Sequence, residues 1–440
     1  MKKILFAFLI ILIYKTTIFS QSQSKSDSLL QNATLNDCVK YALSHQPSVQ
    51  QSLINEKIAN QEIKSKLADW FPQLNFNFNF QHNYKLPTSI FQGNPVHFGV
   101  VNTSSGQFSL SQTIFNRDVL LASSTAHDVR KQAKQQTVSD KINVIVNVSK
   151  AYYSVLLTLN QIDLINQDIT RLELSLKDTY AQYKSGVVDK TDYMQATIAL
   201  NNGKAEKKQD EEMLKTSYAN LKEQMGYPPD GSLKLNYDMS RMEKDIFIDT
   251  TQTLNYKNRI EYQLLQTDKS LQKANLDYYV WSFIPSLTAV GAYNLNFQND
   301  QLSKLYNQDY PSSYIGLQLS FPIFQGGKRI QQIDEAELQL KQYDYDLSAL
   351  KSSVNTEYTQ ALANYKSNLN NYQIQKDNLK LAESVYKIIE LQYKSGIKTY
   401  LDVITAETNL RSTQVNYLNA LYQVLISKID LEKALGTLHY

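Results

Sequence analysis

Residues 182–186 of this chain read Gln-Tyr-Lys-Ser-Gly, and the same five residues recur at 392–396. Around this pentapeptide, residues 182–226 align with residues 392–436 without a gap, at an offset of 210. Eleven of the 45 aligned pairs are identical. Similarity held in register over this length indicates an internal two-fold repeat, so we predict one intertwined unit built from two similar halves.

Each copy of the pentapeptide ends a long stretch that lacks helix breakers. No Gly or Pro occurs in residues 107–185 or in residues 328–395, so a helix can run through each stretch. A helix over residues 118–183 would be roughly 100 Å long at 1.5 Å per residue. Gly186 and Gly396 fit the left-handed turn that often ends a helix. Each long helix is therefore predicted to turn back on itself as an antiparallel hairpin.

Four segments alternate apolar and neutral polar residues, the pattern of strands with one apolar and one polar face. The longest faultless run, residues 73–81, reads Gln-Leu-Asn-Phe-Asn-Phe-Asn-Phe-Gln. Transmembrane strands have about 9 to 11 residues, apolar toward lipid and polar toward a lumen. A soluble sandwich of four half-buried strands would show the same alternation. We predict strands at corresponding places in the two halves, near residues 73–81, 106–115, 286–298 and 313–323.

Four strands leave two open edges, which lipid does not tolerate. The smallest common transmembrane barrel has about eight strands. The chain must therefore form an oligomer if it spans a membrane through these strands.

The N-terminus predicts export. Lys2 and Lys3 precede an apolar run at residues 4–13, and a polar stretch follows from Gln21. This is the layout of a secretory signal peptide, predicted here over residues 1–21, although an N-terminal membrane anchor is the alternative. The apolar run is shorter than the ~20 residues that a spanning helix needs.

Composition excludes several functional classes. The 45 basic and 42 acidic residues give a net charge of +3, which offers no reason to expect a nucleic-acid partner. The single cysteine, Cys38, allows neither an intrachain disulfide nor a cysteine-based zinc site; it is either a small buried helix residue or, less in keeping with its surroundings, a lipid-anchor cysteine. The five histidines are scattered without metal-ligand spacing, and no catalytic motif is present. We predict no cofactor, no metal and no enzymatic activity.

The ordered combination of these features resembles the TolC-like outer-membrane efflux family over essentially the whole mature chain. The first motif that carries the resemblance is Tyr-x-x-Gly with an Asp six residues after the Gly, and it occurs twice, as Tyr183/Gly186/Asp192 and Tyr393/Gly396/Asp402. Residues 34–55, which include His45-Gln46-Pro47, resemble the opening helix of the family, and Leu435-Gly436 resembles the end of its closing helix. The resemblance implies a trimer with a twelve-stranded β-barrel in the outer membrane and a long antiparallel α-helical barrel in the periplasm. It divides the chain into a first repeat at 22–226, an equatorial linker at 227–258 and a second repeat at 259–440.

The resemblance also implies the function. The chain is expected to be the passive outer-membrane channel of a tripartite efflux or type I secretion system. Its expected partners are two further copies of itself, outer-membrane lipid, a periplasmic adaptor protein, and an inner-membrane pump of the RND, ABC or MFS type. The alternative is an exported periplasmic coiled-coil scaffold without a channel.

Two sets of site residues follow from the resemblance. In the family, an aspartate after the first tip is linked to a tyrosine just before the second tip and to a basic residue just after it, and an aspartate ring faces the pore. The matching gate residues here are Asp192, Tyr393, Lys398 and Asp402. The segments on which adaptor hairpins dock match Gly186, Val187, Val188, Gly396 and Ile397. The alternative is that the gate residues are ordinary exposed polar side chains and that the glycines only cap helices.

Two positions depart from the family pattern. Lys398 stands in place of the family's Arg, and gives a point charge rather than a planar fork. A second acidic ring often follows the first by one helical turn, but Thr405 occupies that position here. The resemblance therefore does not extend to the pair of acidic rings that would support strong cation block at the tip.

Overall fold

The computed structural model describes residues 30–236 and 239–438. The predicted signal peptide lies outside these residues. The described chain is mainly helical, with a four-stranded antiparallel sheet and a separate hairpin, and this confirms the predicted combination of mainly helices with a smaller number of strands.

Eight α-helices lie in the described residues. They are α1 (Leu35–His45), α2 (Pro47–Leu67), α3 (Arg117–Lys184), α4 (Lys190–Met225), α5 (Met239–Lys244), α6 (Ile260–Val280), α7 (Lys328–Lys394) and α8 (Tyr400–Leu435).

The long helices form two hairpins of nearly equal size. Helices α3 and α4 have 68 and 36 residues, and α7 and α8 have 67 and 36. At 1.5 Å per residue, α3 is about 100 Å long. Among the described helices, only α3 contains an apolar 18-residue window long enough to cross a membrane, with a mean hydropathy of 1.3, but 61% of that window is buried inside the protein. It therefore reads as part of the core.

The strands are β1 (Gln73–His82), β2 (Thr88–Phe91), β3 (Asn94–His97), β4 (Asn102–Phe115), β5 (Ser286–Asn299) and β6 (Ser312–Ser320). The four long ones pair in the order β1-β4-β5-β6, so the central pair joins the two halves of the chain. Strand β4 begins four residues before the expected start. Strand β6 ends three residues earlier than expected, just before Pro322, which has no N–H to donate to a ladder.

The β2–β3 hairpin was not predicted. Gln92 and Gly93 both have positive φ, at 50° and 82°, as the two-residue turn of a tight hairpin requires. Gln-Gly is a weaker turn signal than Asn-Gly, and Pro95 within β3 argues against a strand unless it lies at an edge.

The apolar face of the sheet is exposed. Phe76, Phe78 and Leu317 have exposed fractions of 56%, 61% and 69%. No helix among the described residues covers this face, and β1 and β6 keep unpaired outer edges. Only the two central strands, β4 and β5, are therefore hydrogen-bonded to a neighbouring strand on both sides.

The main core lies where α1, α3, α4, α7 and α8 pack together. Its centre consists of fully buried aliphatic side chains, among them Val148, Val155, Leu156, Leu421, Val424 and Leu425. Cys38 is also fully buried there, which favours the buried helix residue over the lipid-anchor cysteine. Burial raises the pKa of its thiol to about 12.

Two equivalent glycines end α4 and α8 beside other segments of backbone. Gly226 has φ 65° and Gly436 has φ 70°. A Cβ at Gly226 would lie 2.8 Å from the carbonyl oxygen of His45, and one at Gly436 would lie 2.9 Å from that of Asn258. Only glycine fits both the left-handed turn and the close approach.

Candidate functional site at the helical hairpin tips

The two hairpin tips have the same local structure. After α3, Gly186 takes φ 74°, and the N–H of Val187 donates to the carbonyl of Gln182 at 2.9 Å. After α7, Gly396 takes φ 75°, and the N–H of Ile397 donates to the carbonyl of Gln392 at 2.9 Å. These are the bonds of a Schellman cap, which satisfies the last carbonyls of each long helix.

Each tip presents one β-branched apolar side chain. Val187 and Ile397 each have an exposed fraction of 72%, whereas Val188 is half-buried. A pair of apolar side chains at equivalent tips forms two matched contact points. Four of the five expected docking residues are thus exposed at the ends of the hairpins.

Asp402 has a structural role at the start of α8. Its Oδ2 accepts hydrogen bonds from the backbone N–H and the hydroxyl of Thr399, at 2.9 and 2.8 Å. These bonds hold the pKa of the Asp402 carboxyl below its usual value. The Nζ of Lys398 lies 3.6 Å from Oδ1 of the same carboxylate. Lys398 and Asp402 are therefore brought together, around a capping box that fixes the first turn of α8.

Tyr393 joins the second hairpin to the first. Its hydroxyl donates to Oε1 of Gln182 at 3.0 Å. Burial first, and then the negative charge of Asp192, raise the pKa of Tyr393. In the described part of the chain neither Tyr393 nor Lys398 makes a hydrogen bond or ion pair with Asp192, so the single chain connects the tips through Gln182.

A buried tyrosine reinforces this contact between the hairpins. Tyr400 is 2% exposed and packs with Ala196 and Val403. Its hydroxyl lies 2.8 Å from the hydroxyl of Ser175 on α3. Burial raises the pKa of Tyr400 to about 12, so the group is neutral at physiological pH and serves as a neutral hydrogen-bonding partner.

Gln182, Ser175 and Tyr400 were missed by sequence reasoning. Gln182 belongs to the repeated pentapeptide, and that repeat was the only signal that could have singled it out. Among the described residues, no group of three or more His, Cys, Asp or Glu side chains could hold a metal ion. The arrangement at the tips joins the two hairpins through hydrogen bonds between α3 and the second hairpin.

Comparison with known proteins places this architecture. The model of the Outer membrane efflux protein family matches the chain twice, over residues 38–227 and 261–437. The outer membrane protein TolC of Vibrio cholerae is 23% identical over 76% of this chain and 77% of its own length. TolC of Escherichia coli is 22% identical over 95% of this chain and 85% of its own length.

A solved structure gives the same fold. The outer membrane protein VceC of Vibrio cholerae superposes with a TM-score of 0.71, covers 91% of this chain and 96% of VceC, and is 17% identical. Together with the two family matches, which extend over most of both halves, this establishes the relationship. The chain belongs to the outer membrane efflux protein family.

Proposed function

We propose that three copies of this chain form a passive duct that carries cargo from a periplasmic pump assembly to the cell exterior. The family assignment makes the chain an outer-membrane channel component of an efflux system. The duct breaks no covalent bond and holds no cofactor. We further propose the trimer, its twelve-stranded barrel and its partner proteins, which extend beyond the family assignment.

The open sheet is the single observation that supports an oligomer, and the count of three follows from the resemblance to the family. Strands β1 and β6 each have an unpaired edge, and the apolar face is exposed. Three four-stranded sheets joined edge to edge would make a closed barrel of twelve strands, with the apolar face toward lipid and Asn, Gln, Ser and Thr toward a lumen. Closure would satisfy both edges at once.

The long helices support the same assembly. Helix α7 carries exposed apolar side chains at spacings of seven, four and three residues, namely Ile374, Leu381, Val385 and Ile388. A stripe of this spacing is the seam of a coiled coil that lacks its partner helix. A neighbouring copy would bury it and continue the hairpins into a helical barrel.

The halves fit a duplication. We propose a signal peptide at 1–21, a first repeat at 22–226, an equatorial linker at 227–258 and a second repeat at 259–440. The equal hairpins and the paired glycines at the ends of α4 and α8 support this division.

We propose that the tips are both a docking point and a gate. An adaptor would contact Gly186, Val187, Val188, Gly396 and Ile397, since the apolar side chains of both tips project outward. The gate would be held by Asp192, Tyr393, Lys398 and Asp402. Its support within one chain is the bond from Tyr393 to Gln182 and the proximity of Asp192, whose charge acts on the Tyr393 hydroxyl.

Planar-bilayer recording tests the duct. Purified protein is added to one side of a lipid bilayer without a nucleotide or a pump. Discrete conductance steps that persist without any energy source are expected. A protein that stays in the aqueous phase, or binds lipid without conducting, would instead support the exported scaffold.

A further inference from the structure

Six charged side chains gather where α3, α4 and α8 meet, away from the tips. They are Asp168 and Arg171 on α3, Glu206 and Asp210 on α4, and Glu407 and Arg411 on α8. We call this set the seam cluster, because it lies between the two hairpins. Neither the gate nor the docking tips use it.

The seam cluster contains more carboxylates than guanidinium groups. The guanidinium of Arg171 contacts Asp168, and its Nε lies 3.5 Å from Oε1 of Glu407. Arg411 pairs with Glu206 at 3.2 Å. Two guanidinium groups thus face four carboxylates, with the neutral phenol of Tyr386 on α7 beside them. A cation would restore the balance.

Two of the carboxylates are deeply buried and incompletely bonded. Asp168 is 1% exposed and Glu407 is 8% exposed. Oδ2 of Asp168 and Oε1 of Glu407 are buried and accept no hydrogen bond, although Nε of Arg171, itself buried without an acceptor, lies 3.5 Å from that Oε1. Burial raises the pKa of both carboxyl groups against the lowering effect of Arg171. Buried acceptors of this kind cost free energy unless a donor reaches them.

Both carboxylates line one groove. It has a volume of about 310 Å³ and runs between α4 and α8 over α3. The apolar part of its wall comes from Leu172, Ile198 and Ile404. The volume lies in the range of pockets for small molecules, which are commonly apolar with a few convergent polar groups.

We propose that this groove binds a small organic cation, a protonated amine on an apolar body, with Asp168 and Glu407 as its counter-charges. The ammonium group supplies the donors that the two carboxylates lack, and the apolar body covers Leu172, Ile198 and Ile404. An anion would meet excess negative charge. A metal ion would lack a third ligand, since the described residues contain no group able to hold one.

An occupant would contact both hairpins at once. Asp168 and Ile198 belong to the first hairpin, and Ile404 and Glu407 to the second. Binding would therefore stabilise the packed arrangement of the two hairpins relative to a separated one. This inference does not depend on conduction, because binding is measured on the purified chain.

Fluorescence anisotropy of dansylcadaverine tests the site on the full chain in a non-ionic detergent at neutral pH. This probe is a primary amine on an aromatic body, and its N-acetylated form is the uncharged match. Saturable binding of the amine is expected, with the acetylated probe weaker on the order of tenfold or more, because a charge-assisted hydrogen bond is lost.

The variants locate the binding. The double substitution Asp168→Asn with Glu407→Gln keeps side-chain shape and removes both charges, and should weaken binding of the amine on the order of tenfold. Ala199→Trp fills the groove and keeps both carboxylates, and it should abolish binding of the amine by steric exclusion. Glu212→Gln, at an exposed acid on α4 held by Lys208 and Lys215, should leave binding unchanged. Equal affinity in wild type and both groove variants, or equal binding of the two probes, would overturn the proposal.

Discussion

The hydroxyl of Tyr393, three residues before the second tip, donates a 3.0 Å hydrogen bond to the side chain of Gln182, four residues before the first tip. The two residues come from different copies of the repeated pentapeptide and differ in position within it. The bond therefore joins the hairpins asymmetrically. Any widening at the tips that separates the hairpins must break it.

Removing this bond should favour an open gate. In Tyr393→Phe the ring stays and the donor is lost, at a cost of about 1 kcal/mol to the closed arrangement. Open occupancy in single-channel recordings should rise about fivefold. Tyr180→Phe is the control, because the Tyr180 ring packs on Tyr193 within one hairpin. Equal occupancy in wild type and Tyr393→Phe would show that this bond does not hold the tips.

The charged gate residues give a second prediction. Asp192→Ala and Lys398→Ala should each raise single-channel conductance, because each removes a charge from the proposed latch. Thr405→Ala is the control, since the hydroxyl of Thr405 bonds within α8. Unchanged conductance in both gate variants would remove Asp192 and Lys398 from the latch.

Local sequence patterns predicted most of the fold, but they predicted few of the contacts at the candidate site. The long helices, the tip glycines and the alternating strands follow from breaker spacing, left-handed caps and period-two alternation, all of which act within a few residues. The β2–β3 hairpin was missed because Gln92-Gly93 and Pro95 are weak or contrary signals. Pairing of β4 with β5 joins distant residues and depends on the packing of the two halves.

The linker region offers a test of stability. Tyr365 on α7 is 1% exposed, and its hydroxyl donates to the carbonyl of Ile246 at 2.9 Å and accepts from the N–H of Ile248 at 3.3 Å. Tyr365→Phe leaves both backbone groups without this partner, at a cost of about 1–3 kcal/mol. Amide hydrogen exchange at Ile248 should become correspondingly faster.

The control for this variant lies two turns away on the same face of α7. Tyr358 bonds to the carbonyl of Gln252 at an exposed position, where water can replace the hydroxyl. Tyr358→Phe should therefore change exchange little. The same small effect in Tyr365→Phe would mean that the Tyr365 hydroxyl does not hold Ile246 and Ile248 in place.

The buried carboxylates of the seam cluster predict an unusual dependence on pH. Burial raises the pKa of Asp168 and Glu407 in the folded chain, so their contribution to stability is complete below the unfolded pKa and is lost as pH rises through the folded pKa. The double variant Asp168→Asn with Glu407→Gln lacks this loss. The difference in apparent Tm, variant minus wild type, should therefore increase as pH rises from about 4.

Asp402→Asn gives the opposite sign. Hydrogen bonds from Thr399 lower the pKa of Asp402, so its contribution is present above the unfolded pKa and is lost as pH falls through the folded pKa. The deficit in Tm of Asp402→Asn relative to wild type should shrink in acid.

For the double variant Asp168→Asn with Glu407→Gln, a difference in Tm from wild type that stays constant across the pH range would contradict the assigned burial of Asp168 and Glu407.

The seam cluster also shows where sequence reasoning ends. A lone Asp or Glu in a helical sequence looks like part of a solvated face, and Asp168 and Glu407 lie more than 200 residues apart in sequence. Their burial depends on how α3 and α8 pack. Gln182 was missed for the same reason, whereas Asp402 was identified but its capping of α8 was not.

The central claim is that three copies of this chain enclose one duct. Electron microscopy of the protein, extracted from outer membranes in detergent, tests it most directly. Hollow particles with three-fold symmetry and a stalk on the order of 100 Å, as the length of α3 requires, are the predicted result. Particles that stay soluble without detergent, or that lack a central channel, would contradict it.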